Sequence, residues 1–180
     1  MMKLFVIYQY KGIRPELRGK ALTDALIRRY LGREDAVIHR TEKGKPYVRF
    51  PGQDGDAPFI SVSHSENTFA LLVSETEAGL DIQYPRGVKA ERIAARYFTE
   101  EEAAEVAEDS TGDRFFELWT RREAFSKYTG IGLEQVMTGE LLTEDVRFID
   151  LRLEDGCYCA ICTQREEGDQ SDEIQISYGE

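Results

Sequence analysis

Trp119-Thr-Arg-Arg-Glu123-Ala-Phe-Ser-Lys127-Tyr-Thr-Gly130 is the most informative stretch of this 180-residue sequence. It falls in a helix predicted from about Asp113 to Tyr128, with Gly130 and Gly132 placed to stop it. Trp119, Glu123 and Lys127 recur every four residues and share one helix face. On an ordinary surface helix such a trio is an exposed ion pair worth about 0.3–0.5 kcal/mol. The neighbouring elements change that reading.

Two more helical segments precede it, Val88–Tyr97 and one opened by Thr99, whose hydroxyl forms a capping box with Glu102. Upstream of these the chain reads mostly as strand: Lys3–Tyr10, Ala36–His39, Tyr47–Phe50, Phe59–Val62, Phe69–Ser74 and Gly79–Gln83. A helix from Pro15 to Leu31 interrupts that run, its apolar positions Leu17, Ala21, Leu22, Ala25, Leu26 and Tyr30 spaced by three or four. Downstream lie Val146–Leu153, Tyr158–Thr163 and Glu173–Tyr178. Strands and helices are grouped rather than alternating, which predicts an α+β fold with mostly antiparallel sheet. Each part offers a strand, helix and further strands, so two similar α+β halves are expected, residues 1–77 and 78–180, meeting near 75–79.

Composition narrows the function. Hydrophobic residues make up 41% and charged residues 32%, enough apolar material for a core. Leu4–Ile7 and Phe69–Val73 fall far short of the roughly 20 residues that span a bilayer, and the opening Met1-Met2-Lys3-Leu4 lacks the apolar core of a secretion signal. A cytoplasmic protein without a membrane segment is expected. The net charge of −11 argues against nucleic acid as a partner. Yet residues 1–55 hold 12 Lys/Arg against 6 Asp/Glu, while residues 56–180 hold 11 against 28. The basic first part could hold a small anion. Cys157, Cys159 and Cys162 suit neither a disulfide framework nor a four-ligand zinc site, so they read as reduced core residues.

Asp81 sits in a strand between Leu80 and Ile82, where a carboxylate is costly unless it has a partner. With Glu123 it would supply two carboxylates from different elements, a donor set that suits magnesium beside a diphosphate. Ser61-Val-Ser63-His64-Ser65, read as a turn after a strand, offers hydroxyls, amides and an imidazole for an anion. Gly44-Lys45-Pro46-Tyr47 adds one lysine on a turn.

In this order, Gly44-Lys-Pro-Tyr47, Ser63-His64-Ser65, Gly79-Leu-Asp81, Phe98-Thr-Glu-Glu-Glu102 and Trp119–Gly130 resemble the motifs of the 4'-phosphopantetheinyl transferases, specifically the surfactin-synthetase-activator type. The resemblance spans about residues 40–132. It implies a pseudo-dimer of two α+β halves with coenzyme A and Mg2+ between them, complete in one chain and hence expected to be monomeric. By motif position, Asp81 and Glu123 look like metal ligands and Lys127 like a residue at the diphosphate, all three catalytic. Lys45, Ser63, His64 and Arg122 look like coenzyme A contacts. Two positions depart from the pattern: Gln83 stands where a third carboxylate is common, leaving a weaker metal ligand, and Arg122 replaces the usual Lys. The implied reaction transfers the 4'-phosphopantetheine of coenzyme A to a serine of an apo acyl- or peptidyl-carrier protein, with release of 3',5'-ADP. A non-catalytic homologue that binds coenzyme A or a carrier, and a magnesium-dependent nucleotide diphosphate hydrolase, are the alternatives.

Overall fold

A computed structural model describes residues 2–52, 57–137, 145–165 and 173–179. Among these, the chain forms β1 (Met2–Gln9), a 3-10 turn (Pro15–Leu17), α1 (Lys20–Leu31), β2 (Val37–Arg40), β3 (Pro46–Arg49), β4 (Phe59–Ser65), β5 (Thr68–Ser74) and β6 (Ala78–Gln83). It continues with α2 (Ala90–Tyr97), α3 (Glu100–Glu108), α4 (Asp113–Thr129), α5 (Leu133–Met137), β7 (Val146–Arg152), β8 (Tyr158–Gln164) and β9 (Glu173–Gly179). The expected helix from Pro15 starts later, because Gly19 takes an extended conformation and separates the 3-10 turn from α1. The serine-rich segment is strand rather than turn: β4 runs to Ser65, and Glu66-Asn67 makes the reversal.

The first sheet has strand order β4-β5-β1-β9 and the second β6-β8-β7, while β2 and β3 form a separate hairpin. All pairings are antiparallel except β1 with β9, where Met2 to Tyr8 run alongside Glu173 to Gly179 in parallel. The final strand therefore lies in the first sheet and not with the residues of 78–180 that precede it. Strand order recurs between the halves: in β4-β5-β1 and again in β7-β8-β6, a closing hairpin places its last strand against the strand that opened the half.

Side-chain alternation along β5 explains the layering. Phe69 and Leu71 face α1 with Leu26, Ile27 and Ile60. Ala70 and Leu72 face the other way, joining Phe5 and Ile7 against Leu80, Ile82, Cys159 and Ile161 of the second sheet. The far face of that sheet carries α4, through Ala124 and Phe125 on Ala160 and Cys162. All three cysteines are free and buried, in keeping with their reading as core residues.

Gly79 sets the closeness of the α4 contact. A Cβ there would lie 2.0 Å from the Ala124 carbonyl oxygen and 2.5 Å from the Tyr128 nitrogen. Only a residue without a side chain lets the helix backbone settle on β6, and the next turn of α4 is thereby held over Asp81.

Candidate functional site

β4 and β6 meet without a backbone ladder. On β4, Ser61, Ser63 and Ser65 alternate to one face, and their hydroxyls accept from the backbone amides of Leu80 (2.9 Å), Ile82 (3.2 Å) and Tyr84 (2.9 Å). The edge of β6 not taken by β8 is thus satisfied by side chains of the first half, which fixes the register of the two halves at the site.

In that register Asp81, 2% exposed, is surrounded by donors. Its Oδ1 accepts from Ser63 Oγ at 2.7 Å and Lys127 Nζ at 2.8 Å, and its Oδ2 from Gln83 Nε2 at 2.9 Å. Lys127 also donates to the Val62 carbonyl at 3.2 Å, bridging α4 to β4. One turn back along α4, Glu123 accepts a hydrogen bond from Trp119. Burial, reinforced by the charge of Asp81, pushes the Glu123 carboxyl up to about 7, against the opposing pull of Lys127 and the Trp119 bond. Lys127 is paired with Asp81 and acts on Glu123 only at a distance, so a further cation beside Glu123 would favour its ionised form.

A cleft of about 340 Å³ opens above these groups, lined by Lys43, Lys45, Ser61, Val62, Glu123, Lys127 and residues 130–133. Lys45 Nζ reaches Glu77 at 2.6 Å and the Tyr128 carbonyl at 3.3 Å, while Lys43 Nζ reaches the Gly130 carbonyl at 3.1 Å. The two lysines cap the carbonyls at the C-terminus of α4, the negative end of its dipole. Gly130, at φ 69°, makes the left-handed turn that ends the helix there. Both parts of the chain therefore contribute to one cleft: Lys43, Lys45 and Ser61 from the first, Glu123, Ser126 and Lys127 from the second, with Asp81 bound to Lys127 beside it.

Of the residues singled out from the sequence, Asp81, Glu123, Lys127, Lys45 and Ser63 gather at this place, and Gln83 touches Asp81 directly. In this arrangement the Gln83 amide nitrogen is spent on Asp81, so the side chain supports that carboxylate. His64 is exposed and, by strand alternation, turned to the opposite face from Ser63. Arg122 does not reach the cleft, and its expected contact with coenzyme A is replaced by a structural role. Its side chain is 0% exposed, forked onto Glu102 at 2.9 and 2.5 Å and laid 4.5 Å over the Phe98 ring. The position next to Glu123 is about 100° around the helix, so it faces α2 and α3 instead. Glu102 keeps its capping box with Thr99 and serves both partners, which holds its carboxyl below the usual range against the cost of burial.

The sequence offers these serines as an anion-binding turn and Lys43 as one of many basic residues; that the serines form rungs between β4 and β6 is visible only in the structure. The period-2 spacing of Ser61, Ser63 and Ser65 was the available signal, since it matches a strand face better than a turn.

Among the described residues no group of three or more His, Cys, Asp or Glu gathers into a metal cage. Asp81 and Glu123, near enough that the charge of Asp81 raises the Glu123 carboxyl, still supply two carboxylates that fit magnesium, which completes its shell with waters and phosphate oxygens. No helix among the described residues is long and apolar enough to cross a membrane.

Fold and site together define an α+β protein with a cleft lined by Glu123, Lys127, Lys43 and Lys45, and Asp81 bound to Lys127 beside it. The 4'-phosphopantetheinyl transferase superfamily model matches residues 77–177. The chain is 31% identical over 134 residues to the 4'-phosphopantetheinyl transferase gsp of Aneurinibacillus migulanus, covering 69% of this chain and 53% of that protein. It is 29% identical over 131 residues to the transferase Sfp of Bacillus subtilis, covering 70% and 56%. It is also 26% identical over 161 residues to HetI of a Nostoc species, covering 79% and 68%. This chain belongs to the 4'-phosphopantetheinyl transferase superfamily. It spans about half the length of gsp and Sfp.

Proposed function

We propose that the protein transfers the 4'-phosphopantetheine group of coenzyme A to a serine hydroxyl of an apo acyl- or peptidyl-carrier protein and releases 3',5'-ADP. The observation that carries this reading is the meeting of Asp81, Glu123 and Lys127 under a cleft lined by Lys43 and Lys45, in a chain of this superfamily.

Asp81 and Glu123 would hold Mg2+, which when bound supplies charge neutralisation on the diphosphate. Lys127 donates to a diphosphate oxygen and offsets charge on the departing 3',5'-ADP. Lys45, which lines the cleft with Lys43 from the basic first part of the chain, receives the nucleotide end of coenzyme A. Glu123, directly or through a water, accepts the proton as the serine oxygen attacks the β-phosphorus. A serine–phosphorus bond forms and the bond to the bridging diphosphate oxygen breaks, so catalysis here is chiefly positioning and charge. The recurrent strand order of the halves supports a pseudo-dimer, and with both cleft walls in one chain a monomer suffices.

Because carrier proteins are usually acidic and this chain is too, docking uses a local apolar or basic patch around α2. Lys89, Arg92 and Arg96 on or beside α2 are all exposed and supply one. Reversing the three charges should raise KM for the carrier with little change in kcat; an unchanged KM places docking elsewhere.

Mass spectrometry after incubation with coenzyme A, magnesium and apo carriers tests the reaction. A carrier adduct that disappears in Asp81→Ala supports it. Release of phosphopantetheine without an acceptor would instead indicate a hydrolase, and the absence of any product would indicate a binding homologue.

A further inference from the structure

Three serine hydroxyls hold β4 against β6, but their surroundings differ. Ser61 and Ser65 accept from the amides of Leu80 and Tyr84. Ser63 accepts from the Ile82 amide at 3.2 Å and, in addition, donates to Asp81 Oδ1 at 2.7 Å. Because an N–H occupies one lone pair of Ser63 Oγ, the hydroxyl proton is directed at the carboxylate. The result is a chain from backbone amide through hydroxyl to Oδ1, in which each bond polarises the next. Ser63 is itself 6% exposed, so its hydroxyl has little freedom to turn toward a ligand in the cleft.

Asp81 has a charged donor, Lys127, and two neutral ones, Ser63 and Gln83. A dication at the carboxylate would repel the ammonium, whereas neutral donors can remain. Of those two, Gln83 hangs from the same strand as Asp81 and is half-buried, while Ser63 comes from the opposing half and is tied to main chain. Ser63 is thus the donor best able to keep the Asp81 carboxylate in one rotamer.

We infer that Ser63 is a positioning residue: through its hydrogen bond to Oδ1 it orients Asp81 for a divalent cation across the interface between the halves. This rests on the proposed reading of Asp81 as a magnesium ligand. Of the three rungs, the one at Ser63 alone both joins the halves and sets a ligand.

Isothermal calorimetry with magnesium alone, on the full chain without coenzyme A, tests the assignment. Groups that orient a metal ligand typically contribute about 10–100-fold to affinity. Ser63→Ala should therefore weaken magnesium binding by at least about tenfold. Ser63→Thr, which restores the hydroxyl, should recover most of that loss. Ser65→Ala also removes one interstrand acceptor but touches no carboxylate, and should leave affinity within about twofold of the parent, as for a site that merely joins strands. Should Ser63→Ala fail to fold, Ser63→Cys carries the comparison, since it keeps the volume with a poorer donor. Equal magnesium affinity in the Ser63 and Ser65 variants would overturn the inference and leave the proposed transfer reaction intact. A parent protein that binds no magnesium would instead remove the reading on which it rests.

Discussion

Replacing Gly79 by Ala should damage stability and activity by different amounts through one displacement. The new Cβ would stand 2.0 Å from the Ala124 carbonyl oxygen and 2.5 Å from the Tyr128 nitrogen, both backbone atoms of α4. Heavy atoms rest in contact at about 3.5 Å, so the helix must withdraw by on the order of 1 Å. Overpacking of this kind costs about 1–3 kcal/mol, and the upper end applies where no flexible side chain can yield. At about 2–4 °C per kcal/mol for a chain this long, Tm should fall by about 6–12 °C. Glu123 and Lys127 ride on the displaced helix. A misplacement of about 1 Å at a reacting centre can lower turnover about 100-fold, so adduct formation should fall further than stability alone explains at a temperature where the variant is folded. Gly87, exposed and with open space around its Cβ position, provides the control: Gly87→Ala should leave both quantities nearly unchanged. A Gly79→Ala protein matching the control in thermal unfolding and in carrier modification would refute the claim that close helix–strand approach builds the site.

Arg122→Ala strands Glu102 and should cost about 3–5 kcal/mol, as expected for half of a buried ion pair, while magnesium affinity of the folded variant stays near that of the parent; a large loss of affinity would return Arg122 to the cleft. Glu102, held below its usual range, contributes stability that is complete above its unfolded value of about 4.5 and lost as pH falls through the lower folded value. Glu102→Gln should accordingly flatten the acid limb of Tm against pH. Glu123 has the opposite sign: with its carboxyl raised from 4.5 to about 7, the folded metal-free state binds the proton more tightly, and stability declines as pH rises across that window. Glu123→Gln should therefore raise metal-free Tm above pH 7 and converge with the parent below about pH 4.5. Magnesium binding near neutral pH should also release protons, seen as calorimetric heats that vary with buffer ionisation enthalpy.

Local pattern was enough for most elements. Period-3.6 spacing marked α1 and α4, β-branched and aromatic runs marked β1, β5 and β8, and Thr99 with Glu102 announced the start of α3, because each signal depends only on residues a few positions apart. The same locality explains the trio on α4, where Glu123 and Lys127 must share a face whatever the helix packs against. Asp81 between Leu80 and Ile82 likewise declared itself in need of a partner.

Tertiary packing decided which side of each element met the other half. Nothing near Arg122 in the chain distinguishes a ligand contact from a buried fork; its place is set by α3 folding back so that Glu102, twenty residues earlier, lies beneath it. His64 and Ser63 are neighbours in sequence and opposites in space because β4 extends to Ser65 instead of turning. β9 joins β1 in parallel across the whole length of the chain, a pairing that short-range signals do not encode. Ser61 and Ser63 of β4 reached the site only when β6 presented its unpaired edge to them. Sequence alone fixed the kinds of groups available and their local spacing, whereas long-range backbone contacts, closest at Gly79, determined which carboxylates and lysines share a cleft.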